Sequence, residues 1–186
     1  MLERYPCLET ERLILKPLQS SDAAQIQRLF PRWEIVRHLS GKVPWPYPDD
    51  GARQFIERVA LPQIAAGTLL MWSLRLKGQP DALIGVIHLA LDSEKNRGFW
   101  LAPEWQGHGY MTEATEAVTA YWFTQLKQKT LRTIKCAENI GSRRISERTG
   151  MHLVGRTKVR YVGGDIKDAD IWEISRDEWV SHLENI

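Results

Sequence analysis

Between Thr68 and Ala102 the chain passes through three strand-like stretches, "TLLMWSLRL" (68–76), "ALIGVIHLALD" (82–92) and "EKNRGFWLA" (94–102), with only "KGQPD" and "DSE" as turns between them. Connections that short join antiparallel neighbours, because a parallel return needs a dozen residues or more. The third stretch runs into "LAPEWQGHGY", where one proline and two glycines precede a helical pattern from Gly107 to about Lys129. Ala114, Ala117, Val118, Tyr121, Trp122 and Leu126 fall on one stripe of that pattern. "LRTIKCA" (131–137) reads as the next strand. Strand, helix, strand in that order is a crossover, so a mixed sheet with antiparallel hairpins and at least one parallel crossover is expected.

The flanks fit the same plan. "ERLILKPL" (11–18) reads as a strand with Leu13 and Leu15 on one face. "SSDAAQIQRLF" (20–30) reads as a helix capped by Ser21 or Asp22, with Ile26, Leu29 and Phe30 inward. Three prolines forbid a helix in "GKVPWPYPDD" (41–50), leaving an extended aromatic loop, after which Asp49 or Asp50 caps a helix to about Ala66. "NIGSRRISERTG" (139–150) reads as a short helix stopped by Gly150. "MHLVGRTKVRYV" and "DADIWEIS" read as strands joined through "GGD", and "RDEWVSHL" as a closing helix. No repeat or linker interrupts the 186 residues, a length that suits one domain with a full core.

Composition narrows the function classes. A formal charge of +2 gives no bulk field for nucleic acid, so direct nucleic-acid binding is not expected, while a local basic patch for a phosphorylated ligand is compatible with it. Cys7 and Cys136 form no CxxC pair, and the five histidines are scattered, so neither a disulfide framework nor a metal site is expected. "MLERYPCLETERL" has no leader pattern, and no apolar run approaches membrane-spanning length. The expectation is a cytoplasmic protein without a membrane partner.

"QGHGYMTEA" carries the chemistry. It lacks the Gly-Lys-Ser/Thr of a phosphate-binding P-loop, and Gly107-x-Gly109-x-x-Thr112 lacks the third glycine of a dinucleotide fingerprint. What it keeps is a strand end, a tight turn and the unpaired amides of a helix N-terminus, which make either an anion site or a plain strand-to-helix turn. Thirty residues on, Asn139 offers an amide, Ser142 a hydroxyl, and Arg143, Arg144 and Arg148 positive charge; each alone reads more readily as a cap or a solvated helix face.

Taken together, "GFWLAPEWQGHGYMTEA" and "ENIGSRRISERTGM" resemble the acetyl-CoA-binding core of the Gcn5-related N-acetyltransferases (GNAT). The branch it looks most like is that of the ribosomal-protein N-terminal (alanine/serine) acetyltransferases, which "LETERLILKPL", "VPWPYP" and "DADIWEISRDEW" also fit. The resemblance implies an α/β fold with a mostly antiparallel central sheet, splayed at the cofactor site and flanked by helices. It implies acetyl-CoA as cosubstrate and no metal. The family motif Gln/Arg-x-x-Gly-x-Gly/Ala becomes Gln106, Gly109 and Met111, so the last small residue is replaced.

By the same carry-over, backbone amides of Gln106, Gly107, His108, Gly109, Tyr110, Met111 and Thr112 cradle the pyrophosphate, with Arg144 adding charge. The strand Phe99, Trp100, Leu101 pairs with the pantetheine arm, and the Leu101 amide polarises the thioester carbonyl. Asn139 binds the pantetheine and Ser142 lies near the thiol. The Glu that many members place on the strand before the loop is Asn96 here, so Glu94 becomes the candidate base, with Asp92 and His88 as substitutes. The helical Tyr that protonates the leaving thiolate is Ser146 here, and Ser142 is the candidate donor. Trp33, Trp45 and Tyr47 are expected in the acceptor groove, with Tyr161 and Trp172 opposite. The implied reaction is acetyl transfer to a primary amine, with a protein N-terminal α-amine as leading acceptor. An antibiotic or polyamine acetyltransferase is the rival, and a non-catalytic acyl-CoA sensor the other. The branch contains monomers and homodimers.

Overall fold

A computed structural model describes residues 5–185. The first four residues, which open the segment read as lacking a leader, lie outside them, as does Ile186. Strands β1 (Leu8–Glu9), β2 (Leu13–Pro17), β3 (Leu69–Leu76), β4 (Gln79–Ala90) and β5 (Arg97–Leu101) pair antiparallel in that order. β6 (Thr130–Cys136), β7 (His152–Arg160) and β8 (Ile166–Ser175) form a second antiparallel sheet in the order β6-β8-β7. The helices are α1 (Ala23–Leu29), α2 (Trp33–Val36), α3 (Gly51–Phe55), α4 (Leu61–Ala65), α5 (Tyr110–Thr124), α6 (Ile140–Arg148) and α7 (Arg176–Glu184).

The five-stranded sheet is covered on both faces. Leu13, Leu15, Leu70, Trp72, Ile87 and Leu89 are buried against Met111, Ala114, Val118 and Trp122 of α5, joined by Trp172 and Ile174 of the second sheet. On the other face Met71 and Val86 pack with Ile26, Leu29, Phe30, Ile56 and Ala60. The central strands β3 and β4 thus bury residues in both cores, from opposite faces of the sheet.

Several expectations shift in detail. The continuous helix expected to Ala66 is α3 and α4 joined through a π-helical turn, Ile56–Ala60. Pro62 has no N–H for the carbonyl four residues back, which fits a ladder loosened just before it. Asp22 is the N-cap residue of α1 by position, as expected, but its buried carboxylate makes no cap bond to the helix: it accepts from Gln19 N–H (3.0 Å) and pairs with Arg75. α5 starts at Tyr110, since Gly107 and Gly109 hold φ of 80°, and it ends at Thr124, before Lys127 at φ 55°. The expected parallel neighbour is also revised: α5 makes the crossover, but among the described residues no parallel ladder follows it.

β5 and β6 instead touch only where they begin. Asn96 N–H donates to the Arg132 carbonyl (2.8 Å), Arg132 N–H to Asn96 Oδ1 (2.8 Å), and the Thr133 hydroxyl to the Arg97 carbonyl (2.9 Å). Beyond that corner no backbone bond joins them among the described residues. The ladder phase on β5 is set by bonds from Ala90 N–H to Asn96 and from Ala102 N–H to Ile84. Backbone groups alternate sides along an antiparallel strand, so those of Phe99 and Leu101 face away from β4, toward the gap.

Candidate functional site

A cleft of about 640 Å³ opens where β5 and β6 part. Phe99, Trp100 and Leu101 form one wall and the segment Glu138–Ser142 with Arg144 and Arg148 the other. Gln106, Gly107, Gly109, Tyr110, Met111 and Thr112 close one end; Glu34, Arg37 and His38, on and just after α2, line the other. Most residues expected at a cofactor site therefore meet around one cavity.

The loop end has the geometry of an anion seat. Gly109 is the N-cap of α5 in the left-handed region, and a β-carbon on Gly107 would meet nothing within 4 Å. The first amides of the helix, Tyr110 to Thr112, have no acceptor among the described residues. A 15-residue helix adds its positive end there. Gln106 Nε2 donates to the Leu101 carbonyl (2.9 Å), tying the loop to the strand whose Leu101 N–H remains on the open edge.

On the facing wall Asn139 caps α6, its Oδ1 accepting from Ser142 N–H (3.0 Å), so the cap reading holds for its oxygen. Ser142 Oγ is held at 2.8 Å by Nζ of Lys135, a buried β6 side chain. Ser146 is fully buried and its hydroxyl has no partner, so it faces no ligand.

Other expected positions lie elsewhere. Glu94 is exposed in the turn between β4 and β5, at the end of β5 opposite the cleft, so the geometry removes it as a base; Asp92 shares that turn. Asn96 is buried and its side chain clamps Ala90, Ser93 and Arg132. His88 is packed over Gly98, and burial pushes it down to about 4. The His108 ring stacks on Tyr110 and its Nδ1 lies 2.9 Å from the Gln106 carbonyl, so it buttresses the loop from outside the cleft.

The aromatic residues expected in an acceptor groove also sit apart from the cleft wall. Trp33 and Trp45 pack on each other at the surface (5.6 Å), and Trp33 lies against Gly163 in the β7–β8 turn. Tyr47 packs on Phe30 and is pushed up to about 12 by burial. Tyr161 and Trp172 are core.

His38 and Lys135 were not singled out from the sequence. Neither has a motif; His38 reaches the cleft from just after α2, and Lys135 reaches its edge from β6 through Ser142. His38 lines the cleft with its Nδ1 buried and unpartnered. Burial, then Arg37 and Lys167, push its pKa below the ordinary histidine value against the opposing pull of Glu138, which favours the neutral ring.

A family model described as an acetyltransferase (GNAT) domain matches residues 12–152. The chain belongs to the GNAT acetyltransferase family. A putative ribosomal N-acetyltransferase, YdaF of Bacillus subtilis, is 29% identical over 94% of this chain and 97% of its own. Among solved structures of the fold, RimL, a ribosomal L7/L12 alpha-N-protein acetyltransferase in complex with coenzyme A, superposes with TM-score 0.76 at 18% identity, covering 91% of this chain and 97% of that one. A spermidine N-acetyltransferase SpeG chimera from Vibrio cholerae reaches 0.72 at 19% identity over 91% and 98%. At such identities the likeness is one of fold. GNAT members with different acceptors therefore share this scaffold, and the acceptor has to be argued from the cleft itself.

Proposed function

We propose that this chain transfers the acetyl group of acetyl-CoA to the α-amine of a protein N-terminus. One observation carries the reading: unpaired amides of the Gly107–Thr112 turn and of the β5 edge converge on one cleft, opposite Asn139, Ser142 and Arg144. The donor set fits the cosubstrate. Amides and arginine suit a pyrophosphate, and an open strand edge suits the amide-bearing pantetheine arm.

Acetyl-CoA supplies a thioester that an amine can attack. The chain's part is positioning and charge. The amides at the mouth of α5, fixed before any ligand arrives, hold the phosphates at no cost in reorganisation. The Leu101 N–H donates to the carbonyl oxygen, a role that needs no side chain. Ser142 faces the sulfur. His38, neutral and at the α2 end of the cleft, takes the proton that the amine must lose.

Charge around the cleft supports a singly charged acceptor. Arg37, Arg144 and Arg148 outnumber the lining carboxylates Glu34 and Glu138, and Glu138 is already paired with Lys167 at 2.8 Å. A polyamine bearing several positive charges gains nothing from such a wall. A peptide α-amine has one charge to lose.

The test is calorimetric titration with acetyl-CoA, followed in the same sample by thiol release against peptides beginning with Ala, Ser or Thr, polyamines and aminoglycosides. Binding and turnover with peptides support the reading. Turnover confined to polyamines or aminoglycosides replaces the acceptor, binding without turnover leaves a sensor, and no binding overturns the cofactor assignment.

A further inference from the structure

Two cations are buried side by side where β5 and β6 part. Arg97 is 3% exposed; its Nη1 donates to the Thr119 hydroxyl (2.7 Å), its Nη2 lies 3.1 Å from Met151 Sδ, and its Nε has no partner. Lys135 is 8% exposed, with Nζ 4.7 Å from the centre of the Phe99 ring, 2.8 Å from Ser142 Oγ and 3.1 Å from the Ser142 carbonyl. Among the described residues no carboxylate lies within ion-pair distance of either. Asp170 stands directly across the ladder from Lys135 but is bonded to Arg156 (2.8 Å).

Such an arrangement is costly. Burial first, and the neighbouring Arg97 second, push Lys135 well below its ordinary value. An isosteric apolar chain would fold at least as well. The hydrogen bonds indicate what the charge does. Nζ donates to both the Ser142 carbonyl and its Oγ, which leaves the hydroxyl free to turn its own proton elsewhere. Ser142 lines the cleft and faces the wall formed by Phe99 to Leu101.

We propose that Lys135 is a positioning residue that aims the Ser142 hydroxyl at the sulfur of a thiol ligand in the cleft, with the Lys135–Arg97 pair stabilising that sulfur as thiolate. The proposal rests on the cofactor reading above. It adds the missing anion to two buried cations and gives Ser142 a defined role as donor. Thr119 on α5 and Thr133 on β6, which bond to Arg97, are uncharged, and the two carboxylates nearest the site, Asp170 across the ladder and Glu138 in the cleft lining, are already paired with Arg156 and Lys167.

Coenzyme A itself, with its free thiol, is the probe. Its affinity is measured by calorimetry for the wild type, Lys135→Met, Lys135→Arg and Ser142→Ala. The pH titration of the bound thiol is then followed by thiolate ultraviolet absorbance, as loaded minus unloaded protein, which cancels Cys7 and Cys136. In the wild type the bound thiol is expected about one unit below free coenzyme A, or roughly tenfold more thiolate at a given pH. Lys135→Met should return it to the free value with affinity within about threefold and an unchanged or higher melting temperature. Lys135→Arg should keep part of the shift, and Ser142→Ala should lose much of it. An identical thiol pKa in the wild type and Lys135→Met overturns the proposal while leaving the cofactor reading intact. Failure of the wild type to bind coenzyme A overturns both and is seen in the calorimeter before any thiol is titrated. If Lys135→Met does not fold, a wild-type bound thiol at or above the free value overturns the proposal alone.

Discussion

Replacing Asn96 should loosen the molecule at the backbone corner where its two sheets meet. The side chain is 7% exposed; its Nδ2 donates to Ala90 (3.2 Å) and Ser93 (2.6 Å), and its Oδ1 accepts from Arg132 N–H (2.8 Å). Ser93 is in an exposed turn, where water can take over its bond. That leaves the Ala90 carbonyl and the Arg132 N–H stranded in Asn96→Ala, at about 1–3 kcal/mol for each buried group, or about 2–4 kcal/mol after partial relaxation. For a chain of this size such a loss lowers the melting temperature by about 5–15 °C. Asn96→Glu restores the residue that many GNAT members carry at this position, yet here it aims a carboxylate at two carbonyls and should destabilise at least as much, with no gain in turnover. Urea unfolding at constant m-value measures both variants. A loss under about 1 kcal/mol in Asn96→Ala, or faster turnover in Asn96→Glu, refutes the clamp.

Other outcomes follow from the same geometry. Gly109→Val puts a branched side chain at φ 80°, so the turn should reshape and coenzyme A binding should be lost with the fold retained; unchanged affinity in calorimetry contradicts the loop assignment. His38→Gln should cut kcat/KM by about a hundredfold and remove an acidic limb lying below pH 6.5; a pH–rate profile identical to wild type excludes His38 as base. His88 is held at about 4, so between that pH and 6.5 the unfolded chain binds a proton that the folded chain refuses. Stability should therefore rise with pH across this window and level off above it, and His88→Gln should flatten the rise in urea midpoints measured from pH 4 to 7.

The elements were legible because their signals are local. A short apolar run bounded by turns marks β3, the glycines mark the mouth of α5, and Gly150 marks the end of α6. The turn, Asn139 and Ser142 were legible as a resemblance because they lie in two short, well-spaced segments. What stayed hidden depends on through-space neighbours. The π-helical turn at Ile56–Ala60 reflects one proline inside an otherwise regular stripe. Glu94 lies in the exposed turn before β5, at the end of that strand away from the cleft, where Asn96 also sits. His38 and Lys135 stand in unremarkable contexts and gain meaning from the elements packed against them. Trp33 and Tyr47 illustrate the opposite error, since aromatic residues near a groove serve packing as readily as recognition.

The corner at Asn96 also gives the molecule leverage. From there to Leu101 the chain runs five residues, about 17 Å at strand spacing, so a rotation of about 5° at the corner displaces the far end by about 1.5 Å. Displacements of that size are enough to change a rate by about a hundredfold. The corner is reached through the short turn from Leu91 to Lys95, whose Ser93 carbonyl accepts from Asn96 Nδ2 (2.6 Å). Substitutions there, well away from any reacting atom, are the place to look for altered spacing, and a search for variants with new acyl-chain tolerance would do well to begin in that turn.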